Sequence, residues 1–392
     1  MRKITEALSL KKNLLVLLSA AVFIELGEKM GERFLPLYIM ALGGTGLAVG
    51  FLNAADNLLG AIYAFPGGYL SDRIGYKRSL ILFNLAAIAG YLIVILFPSW
   101  QAALVGAVLF ISWSSVSLPA VMSAISKVLP FHKRTMGVSM HSIARRIPMA
   151  LGPVLGGLCV QRWGEADGVR AAFGFALLLA VTALLLQHYF LEHIAEPQGA
   201  ALHKNPLKVL ALTSPKLRHL LVSDILIRFC EQIPYAFVVI WCIKGVGITP
   251  VQFGALTALE MFSAVLIYIP VAWLVEKNKT KKPYIAITFG FFSAFPLVLL
   301  FSKSLSMLVF AFIIRGLKEF GEPTRKALIL DLAPEANKAL TYGAYYFVRD
   351  TVVAAAALAG GFLWMVSPQL NFIVAFICGL AGTAYFLAYC EE

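Results

Sequence analysis

Apolar residues run in long blocks along this chain, as in Leu14–Ile24, Leu80–Phe97, Ala171–Leu186 and Phe372–Tyr389, with short polar or Gly- and Pro-bearing stretches between them. Each block approaches the roughly 20 residues that a helix needs to cross the hydrocarbon layer of a membrane. The ten-residue apolar/polar alternation of an outer-membrane barrel is missing, so the pattern predicts an all-α integral membrane bundle. Twelve spans are expected, over 13–41, 48–71, 79–97, 103–129, 137–162, 171–191, 219–243, 251–275, 283–302, 304–332, 339–366 and 370–389. Composition points the same way: 60% of the 392 residues are apolar and 14% charged, against about 25% charged in an average soluble domain.

The net charge of +12 would suit a nucleic-acid partner if it were clustered on one surface. Instead Lys and Arg collect in alternate connections: Arg2, Lys3, Lys11 and Lys12; Arg73, Lys77 and Arg78; Lys133 and Arg134; Lys204, Lys208, Lys216 and Arg218; Lys277, Lys279, Lys281 and Lys282. Arg162, Arg170 and Lys303 are exceptions in the other connections. The positive-inside rule then places both termini and the long central loop in the cytoplasm, with the protein in the cell inner membrane and no nucleic acid bound. The basic start and the run Leu14–Ile24 also resemble a signal peptide. Cleavage there would remove the partner of a later span in the repeat described next, so the segment is read as the first span. Cys159, Cys230, Cys242, Cys378 and Cys390 have no CxxC or zinc spacing and read as small buried apolar groups. No metal or cofactor is expected.

The chain repeats itself at an offset of 204 positions, which carries Pro66 onto Pro270, Gly50 onto Gly254, Asp56 onto Glu260, Asp72 onto Glu276, Arg145 onto Arg349 and Gly156–Gly157 onto Gly360–Gly361. At an offset of 203, Glu25 and Glu28 fall on Arg228 and Glu231. Such a register predicts two parallel six-helix halves, 1–191 and 219–392, joined by a cytoplasmic linker at 192–218.

The loop after the second span reads Gly68-Tyr-Leu-Ser-Asp72-Arg73-Ile-Gly75-Tyr-Lys77-Arg78. It resembles the G-x-x-x-D-R-x-G signature of the major facilitator superfamily, with Tyr76 where that family usually has a basic residue. The second copy, Trp273-Leu-Val-Glu276-Lys277, keeps only the acid–base pair. The resemblance implies two six-helix bundles rocking around a midplane site lined by spans 1, 4, 7 and 10. It also implies a cytoplasmic gate formed by Gly68, Asp72, Arg73, Gly75, Lys77 and Arg78. Physically, Asp72 at a helix end can pair with nearby cations and Gly75 permits a tight turn. An ordinary topogenic basic loop is the plainer alternative.

Charges inside the spans carry the candidate chemistry. Glu25, Glu28, Lys29, Glu32 and Arg33 fall within an arc of roughly 140° on the first span, and Arg315, Lys318, Glu319, Glu322, Arg325 and Lys326 within roughly 120° on the tenth. Each such group at the bilayer centre costs about 3 kcal/mol even on the lenient scale, so they must face water or one another. Structural pairing, Glu25 with Lys29 and Glu322 with Arg325 or Lys326, is one explanation. A functional substrate and proton pathway is the other, because apolar replacement of paired charges is often neutral or stabilising. Arg325 and Lys326, near a span end, fit a topological role. Asp56, Arg145, Arg146, Arg228, Glu231, Glu260, Arg349 and Asp350 are further polar groups at membrane depth. Arg145 and Arg349 are equivalent in the repeat and suit either a substrate anion or carboxylates such as Glu28 and Glu322. Tyr342, Tyr345 and Tyr346 read as packing. The fourth span carries Ser114, Ser115 and Leu118 where the tenth has Lys318, Glu319 and Glu322, so the charged site is asymmetric.

Gly152-Pro153-Val-Leu-Gly156-Gly157 resembles part of a motif of antiporters and drug exporters in the same superfamily, although Ile147 and Pro148 stand upstream where a glycine belongs. Its physical content is close helix packing and a kink. No GxxxxGK[ST] loop is present, which argues against ATP-driven transport. His132, His141, His188 and His193 lack HExxH spacing and no Gly-x-Ser-x-Gly elbow occurs, so an enzyme is not expected. The expectation is a monomeric, proton-coupled secondary transporter, with protons or another coupling ion carried by Glu28 and Glu231 first and by Glu32, Glu260 and Glu322 next. Burial favours the protonated carboxyl and a neighbouring Arg the ionised one, so a substrate that disturbs such a pair can couple to protonation. The mixed charges suit a polar, zwitterionic or anionic small molecule, with efflux by antiport ahead of uptake by symport. A non-transporting receptor is the remote alternative.

Overall fold

The computed structural model describes residues 2–74, 76–111, 113, 134–191, 214–278, 280–333 and 338–390. Among these residues the secondary structure is helical. The helices are α1 (Arg2–Glu32), α2 (Leu35–Ala41), α3 (Gly46–Ile74), α4 (Tyr76–Leu96), α5 (Trp100–Ile111), α6 (Arg134–Phe190) and α7 (Pro215–Tyr235). They continue as α8 (Val238–Val246), α9 (Pro250–Asn278), α10 (Lys282–Phe301), α11 (Leu305–Leu317), α12 (Glu322–Leu332), α13 (Lys338–Val366) and α14 (Pro368–Tyr389). Large apolar side chains such as Leu85, Leu178 and Ile377 lie exposed while Glu25, Glu28, Asp224 and Arg325 are buried. This inversion of a water-soluble protein suits hydrocarbon outside and charges inside.

Several expected spans differ in detail. The first is broken at Arg33–Phe34 between α1 and α2, where Pro36 starts the new helix. The seventh bends by 43° between α7 and α8, just after Pro234. The tenth is interrupted between α11 and α12, with Pro323 in the first turn of α12. A proline has no N–H to give the preceding turn and is best placed at a helix start, so each break falls where the sequence weakens the ladder. The fifth and sixth spans run together as α6, turned at the single residue Gly164 (φ 83°). Glycine alone adopts that left-handed backbone without strain, so one residue replaces the expected loop.

Two compact units emerge from the packing. One comprises Met1–Gly43, Leu59–Ala201 and Thr249–Gly254, the other Gly44–Leu58, Leu202–Ile248 and Ala255–Glu392. In the first, α1 packs along α6: a side-chain carbon on Gly27 would meet Ala176, on Gly152 Lys29, and on Gly156 the Met30 backbone. The rings of Tyr91, Phe110 and Phe173 close this unit around one another at 5.4–5.7 Å. In the second unit, Leu217, Leu220, Ile227, Phe289, Leu328, Ile329, Tyr345 and Phe386 form the apolar core. The beginning of α3 belongs there, with Gly50 against Gly361 of α13. The beginning of α9 belongs to the first unit, with Gly254 against Pro153 of α6.

Candidate functional site

In the second unit, Asp224, Arg228 and Glu231 lie on one stripe of α7, at spacings of four and three residues. They join the tenth-span charges into a continuous chain. Arg349 donates to Asp350 at 2.7 Å and reaches Asp224 Oδ2 at 3.4 Å. The same Asp224 oxygen accepts from Arg325 and, at 3.1 Å, from the Tyr345 hydroxyl. Arg325 continues to Glu322 Oε2 at 2.7 Å, and Glu322 Oε1 accepts from Arg228 at 2.7 Å. Arg228 donates to Glu231 Oε2 at 2.5 Å, while Lys318 donates to Glu231 Oε1 at 2.7 Å. Glu260 Oε1 ends the chain, 3.6 Å from Lys318 Nζ and 3.3 Å from Arg315 Nε. Five carboxylates thus alternate with five cations, so these ten paired groups together carry no net charge.

The helix breaks lie beside these charges. Lys318 and Glu319 occupy the interruption of the tenth span and Glu322 opens α12. The bend after α7 frees carbonyls that the helix would otherwise use. Asn53 Nδ2 donates to Gln232 O at 2.8 Å, and Asn371 Nδ2 donates to Ile233 O at 3.2 Å and Gly360 O at 2.8 Å. Within a membrane such carbonyls must find donors in the protein.

In the first unit, Arg145 Nε lies 2.8 Å from Glu25 Oε1, and Lys29 Nζ lies 3.3 Å from Glu28 Oε1 while also pairing with Glu32. Glu25 and Glu28 are each 2% exposed, and the second carboxylate oxygen of each has no hydrogen-bond partner among the described residues. The Tyr91 hydroxyl and Trp113 indole nitrogen are buried in the same condition. Among the described residues this unit therefore holds unfilled acceptors and donors at membrane depth, whereas in the second unit Glu231 and Glu322 accept on both oxygens and Asp224 Oδ1 and Glu260 Oε2 are buried without a partner.

Of the expected site residues, the structure brings Glu25, Glu28, Lys29, Glu32 and Arg145 together in the first unit. Arg228, Glu231, Glu260, Arg315, Lys318, Glu322 and Arg349 gather in the second, with Glu319 in the turn beside them. Some pairings differ from expectation. Glu25 pairs with Arg145, and Arg349 pairs with Asp224 and Asp350. Arg325, which fitted a topological role, is 0% exposed between Asp224 and Glu322. Asp224 is the residue that sequence reasoning missed; its signal was the acid–base spacing of four residues to Arg228. Of the gate motif, Lys77 donates to His188 O at 2.8 Å and Arg78 is exposed at the start of α4. Gly68, Asp72 and Arg73 lie in α3, their surroundings outside the described residues, as are Gly75 and the fourth-span positions Ser114, Ser115 and Leu118.

The Major Facilitator Superfamily profile matches residues 17–243 and again 220–391. The chain belongs to this superfamily. It is a multi-pass membrane transporter with the all-α fold of twelve helices in two pseudo-symmetric six-helix bundles. It is 22% identical over 390 residues to the uncharacterized MFS-type transporter MJ1317 of Methanocaldococcus jannaschii, covering 95% of this chain and 94% of that protein. Over 163 residues, 41% of this chain and 34% of the relative, it is 31% identical to the inner membrane transport protein YajR of Escherichia coli. At the level of fold it is similar to the nucleoside transporter NupG, with a TM-score of 0.80, 12% identity and 97% and 100% of the two chains covered. A mutant of the peptide transporter POT in complex with sulfate gives a TM-score of 0.78 at 16% identity, covering 96% and 93%.

Proposed function

We propose that this transporter is a proton-coupled secondary carrier of a polar, zwitterionic or anionic small molecule, with the buried carboxylates as its proton carriers. The observation that carries the reading is the pair of ionic clusters at membrane depth, each holding buried carboxylate oxygens without hydrogen-bond partners among the described residues, at Glu25 and Glu28 in one and at Asp224 and Glu260 in the other. A buried carboxylate oxygen left without a donor is costly, and a proton is the smallest ligand that relieves it. Both termini face the cytoplasm in this reading, and the monomer works in the inner membrane of the cell.

The antiporter-like segment Gly152–Gly157 supports export in exchange for protons. Uptake of an organic anion together with a proton is the second reading, favoured by Arg315, a buried guanidinium whose ion pair among the described residues is with Glu260. Counterflow in proteoliposomes, with imposed pH gradients of either sign, separates the two. Substrate accumulation driven by an inward proton gradient supports symport, and depletion under the same gradient supports antiport. Full gradient-driven transport in Gln variants of Glu25, Glu28, Glu32, Glu231, Glu260 and Glu322, each made singly, would overturn proton coupling through these groups.

A further inference from the structure

The carboxylates of the second-unit chain are not held alike. Glu231 and Glu322 each accept a short hydrogen bond on both oxygens, from Lys318 and Arg228 in the first case and from Arg228 and Arg325 in the second. Asp224 accepts on Oδ2 from Arg325, Tyr345 and Arg349, and Asp350 accepts from Arg349. Glu260 is 2% exposed, yet among the described residues its Oε2 has no hydrogen-bond partner and its Oε1 is met only by the longer ion contacts to Arg315 and Lys318. Asp224 Oδ1 is likewise buried without a hydrogen bond among the described residues, but that carboxylate is held through three donors on Oδ2, whereas Glu260 accepts none there, so protonating Glu260 forfeits no charge-assisted hydrogen bond while protonating any other member weakens at least one.

The two cations respond differently to that proton. Lys318 keeps Glu231 at 2.7 Å. Arg315 keeps no carboxylate among the described residues. Its guanidinium, 3% exposed, is enclosed by the rings of Tyr235, Phe295 and Phe312 at 5.1–5.7 Å. A cation over aromatic faces remains stabilised, but a buried guanidinium left without an anion needs one. Glu260 Oε1 marks the place, since an anionic oxygen there already lies between Arg315 Nε and Lys318 Nζ. Among the described residues the charged and titratable groups around Glu260 are Arg315 and Lys318 of the tenth span, with Glu319 beside Lys318 and with Glu231 and Tyr235 of α7 behind them; α10 presents the rings of Phe292 and Phe295.

We propose that Glu260 is a proton-exchange residue of this carrier, and that its protonation opens Arg315 and Lys318 to a carboxylate-bearing or similarly anionic substrate, so that one proton and one negative charge enter together. The proton comes from water to Glu260 Oε2, and the anion replaces the lost carboxylate charge, leaving the interior neutral. The inference rests on the carrier reading above and selects its symport form.

Malonate serves as the probe, with the full-length protein in detergent micelles. Wild-type protein in weakly buffered solution containing a pH dye is expected to take up protons when malonate is added, and malonate is expected to raise its unfolding temperature more in acidic than in alkaline buffer. Glu260→Gln, fixed in the neutral form, is expected to bind malonate at least tenfold more tightly than wild type in alkaline buffer, without proton uptake. Glu260→Gln with Arg315→Gln is expected to lose that stabilisation. No malonate-induced proton uptake by the wild type, or stabilisation indifferent to pH, overturns the proposal even if the variants fail to fold. These are binding readouts, so a chain that binds malonate in this way but drives no gradient-dependent flux would overturn the carrier reading while leaving the Glu260–Arg315 linkage standing.

Discussion

Gly156 of α6 lies directly on the backbone of Met30 in α1, with no space between them for a side-chain carbon. The repeat reproduces the contact, because Gly360 of α13 lies in the same way on Ile233 of α7. The neighbouring glycines extend the symmetry: Gly157 abuts Pro250 and Gly361 abuts Gly46. The Gly-Pro segment thereby holds α6 against the charged turn of α1, next to Lys29.

Gly156→Ala and Gly360→Ala should each destabilise their unit by about 1–3 kcal/mol through overpacking against backbone that cannot withdraw. Gly343→Ala, on α13 with open space around it, should be neutral or stabilising by up to about 1 kcal/mol, since alanine is the better helix former. Unfolding in detergent micelles compares the three.

Arg325→Gln and Asp224→Asn each leave buried charges without their partners, and each should cost about 3–5 kcal/mol. The double variant should cost less than the sum, because the two residues share one interaction. A double-mutant cycle of unfolding free energies checks this, and strict additivity would show that the pair is uncoupled.

Asn53→Ala and Asn371→Ala remove the donors to Gln232 O and Ile233 O at the bend of the seventh span. An acceptor left unsatisfied away from water should lower stability by about 1–3 kcal/mol in each case. Amide exchange across 230–240 should rise in these variants while that of α10 stays unchanged.

Glu28→Gln removes a buried negative charge whose Oε2 has no hydrogen-bond partner among the described residues. Gradient-driven accumulation should fall by about tenfold or more, roughly 1.4 kcal/mol of lost coupling or greater, while substrate exchange without a gradient persists. Loss of both activities together would assign Glu28 to substrate binding or folding.

The scaffold was legible in the chain because lipid imposes a simple rule. A span must be apolar for about 20 residues and must satisfy its own backbone, so the apolar blocks and the register of 204 residues gave the spans and their pairing. The burial of Glu25, Glu28, Glu260, Arg315 and Glu322 followed from the same rule, since charges are expelled from lipid. Partner choice was not legible. Glu25 has Lys29 four residues away yet pairs with Arg145, because α6 approaches across glycines that only the packed helices bring into register. Asp224 reads as one acid near a span end until α7, α12 and α13 converge on it with Arg325, Arg349 and Tyr345. The sequence by itself determined which residues had to leave the lipid. Tertiary structure alone decided which charges neutralise one another, because an ion pair depends on side-chain distances set by packing between helices, and linear spacing fixes those only within a single helix.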